Sequence, residues 1–219
     1  MHSSDRGDAG VHHFLGVACR VDCEIGLMTD YLPPRVDLRP WRTLERQPLF
    51  SAGPIKEIAR EKVLLPDGRV VPDYYTAMMG DYALVYAVTS DDTVLILRQY
   101  KHGARRVCLT FPGGYVAPGE DPAAAVEREL LEETGYRLDT LTPLGAFVAN
   151  ANQGCNTAYL FRADGCRYER EARSGDLEEM ELVQFSPEEL LRPDRIADMA
   201  VLGYVALLLL ADRATKGGV

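Results

Sequence analysis

The chain has 219 residues, 47% of them hydrophobic and 26% charged, with a formal net charge of −9. This composition suits a globular protein able to bury a sizeable core. The acidic balance argues against indiscriminate attachment to nucleic acid or an anionic membrane. It leaves open a small phosphorylated ligand, because a bound divalent cation can invert the local field.

Residues 1–40 hold Gly, Asp, His and Pro without sustained periodicity and are read as an N-terminal extension. Within them, Cys19 and Cys23 follow His12 and His13, but no second Cys/His pair has structural-zinc spacing. The remaining cysteines, 108, 155 and 166, are scattered. An odd total without a framework points to free thiols in a reducing cytoplasm. The start of the chain lacks a basic segment followed by an apolar one, so a cytoplasmic location is expected.

From Trp41 onward, short patterned segments begin. Ile55–Leu65 and Val70–Met78 flank Pro66-Asp67-Gly68, a turn signal that predicts a hairpin. Residues 41–80 thus form an N-terminal antiparallel strand region, and 81–219 the main domain. Tyr82–Thr89 and Thr93–Tyr100 are β-prone runs joined by a polar turn, and Cys108–Phe111 is a short strand before Pro112-Gly113-Gly114. Pro122–Thr134 is the first long helix, with Asp121 suited to the N-cap, Pro122 to the first turn, and Gly135 to a left-handed stop. Thr142–Asn150, Asn156–Arg162 and Glu181–Phe185 read as strands. Ser186-Pro-Glu-Glu189 opens a short helix, and one last helix is predicted from about Ile196 to Ala214. Its apolar run, Met199–Ala211, is too short for the roughly 20 residues that span a bilayer. The order of elements predicts a mixed sheet between helices.

The first long helix crowds carboxylates at Glu127, Glu129, Glu132 and Glu133. On an α-helix Glu133 lies about 40° to one side of Glu129 and Glu132 about 60° to the other, so three acids form one stripe. Like charges at this spacing repel by roughly 0.2–0.5 kcal/mol per exposed pair, so something must offset them. Arg128, four residues before Glu132, can neutralise part of the stripe. An oxygen-only donor set favours a hard cation, Mg²⁺ or Mn²⁺. Gly113-Gly114 allows the backbone to approach that face.

The spacing resembles a known family. Gly114, five residues, Glu120, seven residues, Arg128-Glu129-Leu130, one residue, Glu132-Glu133, one residue, Gly135 and Tyr136 match the Nudix box. Leu65-Pro-Asp-Gly-Arg69, Arg98-Gln-Tyr-Lys101 and Phe111-Pro-Gly-Gly114 extend the resemblance to the ADP-ribose/ADP-sugar pyrophosphatase branch. It implies a Nudix-type α/β/α sandwich and a homodimer built through the N-terminal strand region. It also implies hydrolysis of a nucleoside diphosphate linked to another group. By resemblance, Glu129, Glu132 and Glu133 are metal ligands, joined by the carbonyl of Gly113 and by Glu178. Asp176 is the candidate general base, and Glu179 is the rival both for that role and for the ligand role of Glu178. Glu120 and Arg128 support the box, and Glu132 adds to catalysis. Arg98, Lys101 and Gly114 are candidate substrate contacts.

The loop Asn150–Thr157 departs from the branch, because it lacks the Ser-Glu that often follows its Pro-Gly. ADP-ribose, cleaved to AMP and ribose 5-phosphate, is therefore the first substrate expected but not a unique one. Dinucleotides, CoA, nucleotide sugars of other bases and nucleoside triphosphates are the alternatives within the fold. A non-catalytic nucleotide-binding module is the alternative outside enzymology, and the intact glutamates count against it. Tyr74, Tyr75 and Tyr82 are read mainly as packing residues, with base stacking as the functional alternative.

Overall fold

Arg42–Ala52 (β1), Ile55–Leu64 (β2) and Val70–Met79 (β3) form a three-stranded antiparallel sheet in the order β1-β2-β3. The computed structural model describes residues 38–175 and 179–217. The chain divides into two units, Met1–Arg39 and Pro40–Val219, and all described elements belong to the second. His12, His13, Cys19 and Cys23 lie outside the described residues, as do Asp176 and Glu178. The hairpin turn between β2 and β3 forms where Pro-Asp-Gly predicts it. Gly68 takes φ +87°, Leu65 C=O accepts from Gly68 N–H at 3.0 Å, and Asp67 Oδ1 accepts from Arg69 N–H at 3.0 Å. Strand β1 is exposed along its whole length. It pairs with β2 through charge: Arg46 meets Glu57 and Glu61, and Lys62 meets Glu45 at 2.8 Å.

The remaining strands build one mixed sheet. They are Tyr82–Thr89 (β4), Val94–Lys101 (β5), Arg106–Thr110 (β6), Gly113–Tyr115 (β7), Tyr136–Arg137 (β8), Thr140–Val148 (β9), Thr157–Tyr168 (β10) and Met180–Phe185 (β11). The order is β11-β5-β4-β10-β8, with β6 on β5, β7 on β4 and β9 on β10. Strands β4 and β10 run parallel, and the other pairs are antiparallel.

Strand β4 is buried on both faces, and its alternation sorts the core. Leu84, Tyr86 and Val88 join Val94, Ile96 and Phe111 under helices Pro187–Leu190 (α2), Pro193–Asp198 (α3) and Leu202–Thr215 (α4). Ala83, Val85 and Ala87 join Leu95 and Phe161 under helix Pro122–Thr134 (α1), which inserts Val126 and Leu130. Alanines at 83 and 87 leave room for α1 to lie close to the sheet. The result is the expected α/β/α sandwich. Arg162 in β10 ties the α4 layer to the sheet. It pairs with Asp164 at 2.7 Å, lies over the Tyr86 ring and donates to Ala211 C=O at 3.3 Å near the C-terminal end of α4, where a cation is favoured.

Besides β1, β7 and β8, which the sequence did not mark as strands, two elements differ from expectation. Strand β10 runs on to Tyr168, past a register shift between Ala163 and Cys166 where Gly165 takes φ +69°. The final helix is broken in two. Met199 (φ −79°, ψ 103°) and Val201 (φ −120°, ψ 129°) are extended between α3 and α4. Met199 turns into the core at 5% exposure, while Leu202 is left 83% exposed. A run apolar on every side has no polar face to mark such a break. Among the described residues, no helix is long and apolar enough to cross a membrane.

Leu130 has no exposed surface and fills the layer between α1 and β4. Leu130→Ala should lower the unfolding free energy by about 2–5 kcal/mol through the cavity it leaves. Denaturant titration of the two proteins measures this directly.

Candidate active site

Helix α1 starts and stops where its sequence dictates. Asp121 Oδ1 accepts from Ala123 N–H at 2.9 Å, Pro122 takes the first turn, and Gly135 closes the helix at φ +77°. The Gly135 carbonyl then accepts from Glu169 N–H at 2.9 Å and Arg170 N–H at 3.2 Å. A Cβ on Gly135 would collide with the Arg170 carbonyl, so this position needs glycine for space as well as for φ.

One turn back, the stripe forms against β7. Glu133, 8% exposed, accepts from Gly113 N–H at 2.7 Å. A Cβ on Gly113 would strike the Ala83 carbonyl, and one on Gly114 would strike the Glu129 carboxylate. The two glycines therefore admit β7 between β4 and the acidic face of α1.

Arg128 joins the remaining acids. Its Nη1 donates to Glu129 Oε1 at 2.8 Å and Glu132 Oε2 at 3.2 Å. Its Nε and Nη2 fork onto Glu120 at 3.1 and 3.3 Å, and Nη2 also reaches Tyr115 C=O at 3.3 Å. Glu120 also accepts from Ala117 N–H at 2.8 Å. The Arg128 guanidinium, helped by that N–H, holds the Glu120 carboxyl below its ordinary value. Reciprocally, Glu120 and Glu129 hold Arg128 charged above its own. The i,i+4 pair with Glu132 was legible in the sequence; the bridge to Glu120 and Tyr115 closes the loop before the helix as well.

Described residues on either side of the late acidic run are bonded to the domain. Arg173 N–H donates to Glu132 C=O at 2.8 Å, and Met180 pairs with Gln99 of β5. Asp176 and Glu178 lie between these anchors, outside the described residues; Glu179 is described and exposed. Arg98 forms a surface ion pair with Glu181 at 3.0 Å. Alternation along β5 puts Arg98 on the sheet face of Ile96, under α4, and Lys101 on the face of Leu95, under α1. The structure thus brings Glu120, Arg128, Glu129, Glu132, Glu133, Gly113 and Gly114 together and leaves Arg98 on the other face.

Gln99 was missed by sequence reasoning. It is 4% exposed, donates to Thr110 Oγ1 at 2.7 Å, and its buried Oε1 meets no donor among the described residues. A lone amide in an apolar strand was the only available signal. Tyr74 and Tyr82 pack: Tyr74 meets the Trp41 ring edge-on at 5.6 Å and donates to Asn152 C=O, and Tyr82 lies against the α4-side core. Burial pushes the Cys166 thiol up to about 12, with Asp164 and Asp139 adding to it, so this side chain offers no nucleophile.

Among the described residues, no three carboxylate, imidazole or thiol groups converge as metal ligands. Glu129 and Glu132 turn toward Arg128, and Glu133 toward Gly113 N–H. The donor set itself is all oxygen and fits a hard divalent cation.

A NUDIX domain model matches residues 78–202, more than half of the chain and all of the region from Gly114 to Tyr136. The chain belongs to the Nudix family. As a Nudix pyrophosphatase it is an enzyme of nucleoside diphosphate derivatives. It is 28% identical over 152 residues to the ADP-ribose pyrophosphatase of Bacillus subtilis (strain 168), covering 69% of this chain and 81% of that protein. A CMP-5'-(N-acetyl-N-hydroxy-3-aminopropyl)phosphonate hydrolase of Streptomyces rubellomurinus (strain ATCC 31215) is 31% identical over 170 residues, 71% of this chain and 77% of that one. The crystal structure of an ADP compounds hydrolase shares the Nudix fold at TM-score 0.69 and 19% identity, covering 84% of this chain and 100% of the other.

The pairing of Glu120 with Arg128 should be visible as a pH effect. A carboxyl lowered from 4.5 on folding contributes stability above that value and loses it as pH falls through the folded pKa. Glu120→Gln should therefore melt earlier than the parent at neutral pH, and the gap should close as pH drops below 4.5. Thermal melts across pH 3 to 7, roughly the carboxylate range, measure both curves.

Proposed function

We propose that this Nudix enzyme hydrolyses the diphosphate bond of a nucleoside diphosphate sugar with Mg²⁺ or Mn²⁺, ADP-ribose giving AMP and ribose 5-phosphate. The observation that carries the reading is the stripe Glu129, Glu132 and Glu133 brought against the Gly113-Gly114 backbone. These carboxylates, the Gly113 carbonyl and Glu178 would hold the metal. When bound, a divalent cation supplies acidified water and neutralises phosphate oxygens.

The chain's own groups do the rest. Asp176 accepts the proton from the attacking water, with Glu179 the rival for that role. Glu120 and Arg128 keep the box loop and the stripe in register. Lys101 contacts phosphate from the α1 side, as a point charge without the fork of an arginine. Its side of the sheet favours it over Arg98, whose partner is Glu181. Gly114 leaves its space to the Glu129 carboxylate and lines the approach to substrate. The free thiols Cys108, Cys155 and Cys166 suit a reducing cytoplasm.

A homodimer belongs to the same reading. The β1–β3 sheet exposes Leu44, Leu49, Phe50, Val70, Tyr75 and Met78, a surface that a second copy would cover. Light scattering should give twice the 24.3 kDa chain mass at micromolar concentration; the mass of a single chain throughout would reject the dimer.

A second reading keeps the chemistry and changes the base. The Streptomyces relative is named for a CMP-linked substrate, and the loop Asn150–Thr157 lacks the glutamate usual in the ADP-ribose branch. Comparing kcat/KM for ADP-ribose, ADP-glucose, CDP-, UDP- and GDP-linked substrates, dinucleotides, CoA and triphosphates separates the two. A triphosphate or dinucleotide favoured about tenfold over every diphosphate sugar, about 1.4 kcal/mol of transition-state binding, would reject the assignment. EDTA should abolish turnover and Mg²⁺ or Mn²⁺ restore it. Glu133→Gln should keep the fold and lower kcat about a thousandfold, about 4 kcal/mol.

A further inference from the structure

We propose that Arg128 is a resident counter-cation of the stripe, which surrenders Glu129 and Glu132 to an arriving divalent cation while keeping its hold on Glu120. The inference rests on the metal-dependent reading above and concerns what this chain does before metal enters.

The contacts divide the guanidinium into two parts. One edge, Nε and Nη2, grips both oxygens of Glu120 and the carbonyl of Tyr115. These partners precede α1 and lie off the stripe, and Glu120 is tied again by Ala117 N–H. The opposite tip, Nη1, spans Glu129 Oε1 and Glu132 Oε2. Every N–H of the group is thus used, and only Nη1 touches the acids that a cation would claim. Glu133 accepts instead from Gly113 N–H at 2.7 Å.

Charge explains why a placeholder is needed. Glu129, with its side chain 15% exposed, and the buried Glu133 lie one turn apart beside Glu132. Partly buried like charges are weakly screened and repel more than surface pairs. A guanidinium at the stripe relieves that repulsion in metal-free protein. The same positive charge then opposes a divalent cation, and Nη1 holds one oxygen each of Glu129 and Glu132. Arg128 therefore stabilises the metal-free fold and weakens metal affinity. A merely structural tie would predict the opposite sign for metal, since loosening the box would scatter its ligands.

The test is Mn²⁺ binding by full-length protein, read as free Mn²⁺ by electron paramagnetic resonance, beside thermal melts of the metal-free form. Arg128→Gln should bind Mn²⁺ about tenfold tighter and melt several degrees lower without metal. Arg128→Lys should fall between, because it keeps the charge and loses the fork. In the parent protein, saturating Mg²⁺ should speed hydrogen exchange at Arg128 Nη1 and leave Nε–H protected by Glu120, as followed by nitrogen NMR. Unchanged or weaker Mn²⁺ binding in folded Arg128→Lys and Arg128→Gln, or Nη1 protection indifferent to Mg²⁺, overturns the proposal while sparing metal dependence. Absence of Mn²⁺ binding by the parent protein overturns both.

Discussion

The N–H of Gly113 reaches Glu133 at 2.7 Å only because neither Gly113 nor Gly114 carries a side chain. Gly113 is pressed against the Ala83 carbonyl of β4, and Gly114 against the Glu129 carboxylate of α1. This close passage couples the acidic face of the helix to the centre of the sheet. The alanines of β4 set the depth of α1, and its depth sets where the stripe meets backbone. Burying Glu133 this way is tolerable because a backbone donor satisfies it; a buried charge without a partner would cost several kcal/mol.

A second tie fixes the far end of the same helix. The carbonyls of Glu132 and Gly135, which α1 leaves unpaired at its C-terminal end, accept from Arg173, Glu169 and Arg170. Helix ends need such partners, and here they come from the segment leading to the late acids. The cap that ends the helix also holds that segment against the C-terminal end of α1.

Much of this was legible in the residues. Helix α1 runs from Pro122 to Thr134 as its cap, its proline and its glycine require, and β4 occupies its predicted span. The stripe at 129, 132 and 133 follows from helical periodicity alone. Strand β1 was not legible as a strand, because every residue is exposed and no alternation survives. The gap between α3 and α4 was hidden within a run apolar on all sides. Strand alternation separates Arg98 from Lys101, but only the sheet shows which layer each of them faces. The Glu120–Arg128–Tyr115 contact joins residues across a loop whose path no local pattern encodes.

The loop after β9 carries a further consequence. Its backbone runs beside β3: Ala77 N–H donates to Gln153 C=O at 3.0 Å, Met79 N–H to Cys155 C=O at 2.7 Å, and Asn156 Nδ2 to Gly80 C=O at 2.9 Å. The first two are main-chain bonds, which tolerate many side chains but fix the path of the chain, while the third needs the Asn156 amide. Apart from Asn156, the loop can thus vary in composition while its length and trajectory are inherited from β3. A graft from another family member would need to bring that strand with it, so the two segments make up a single exchangeable cassette.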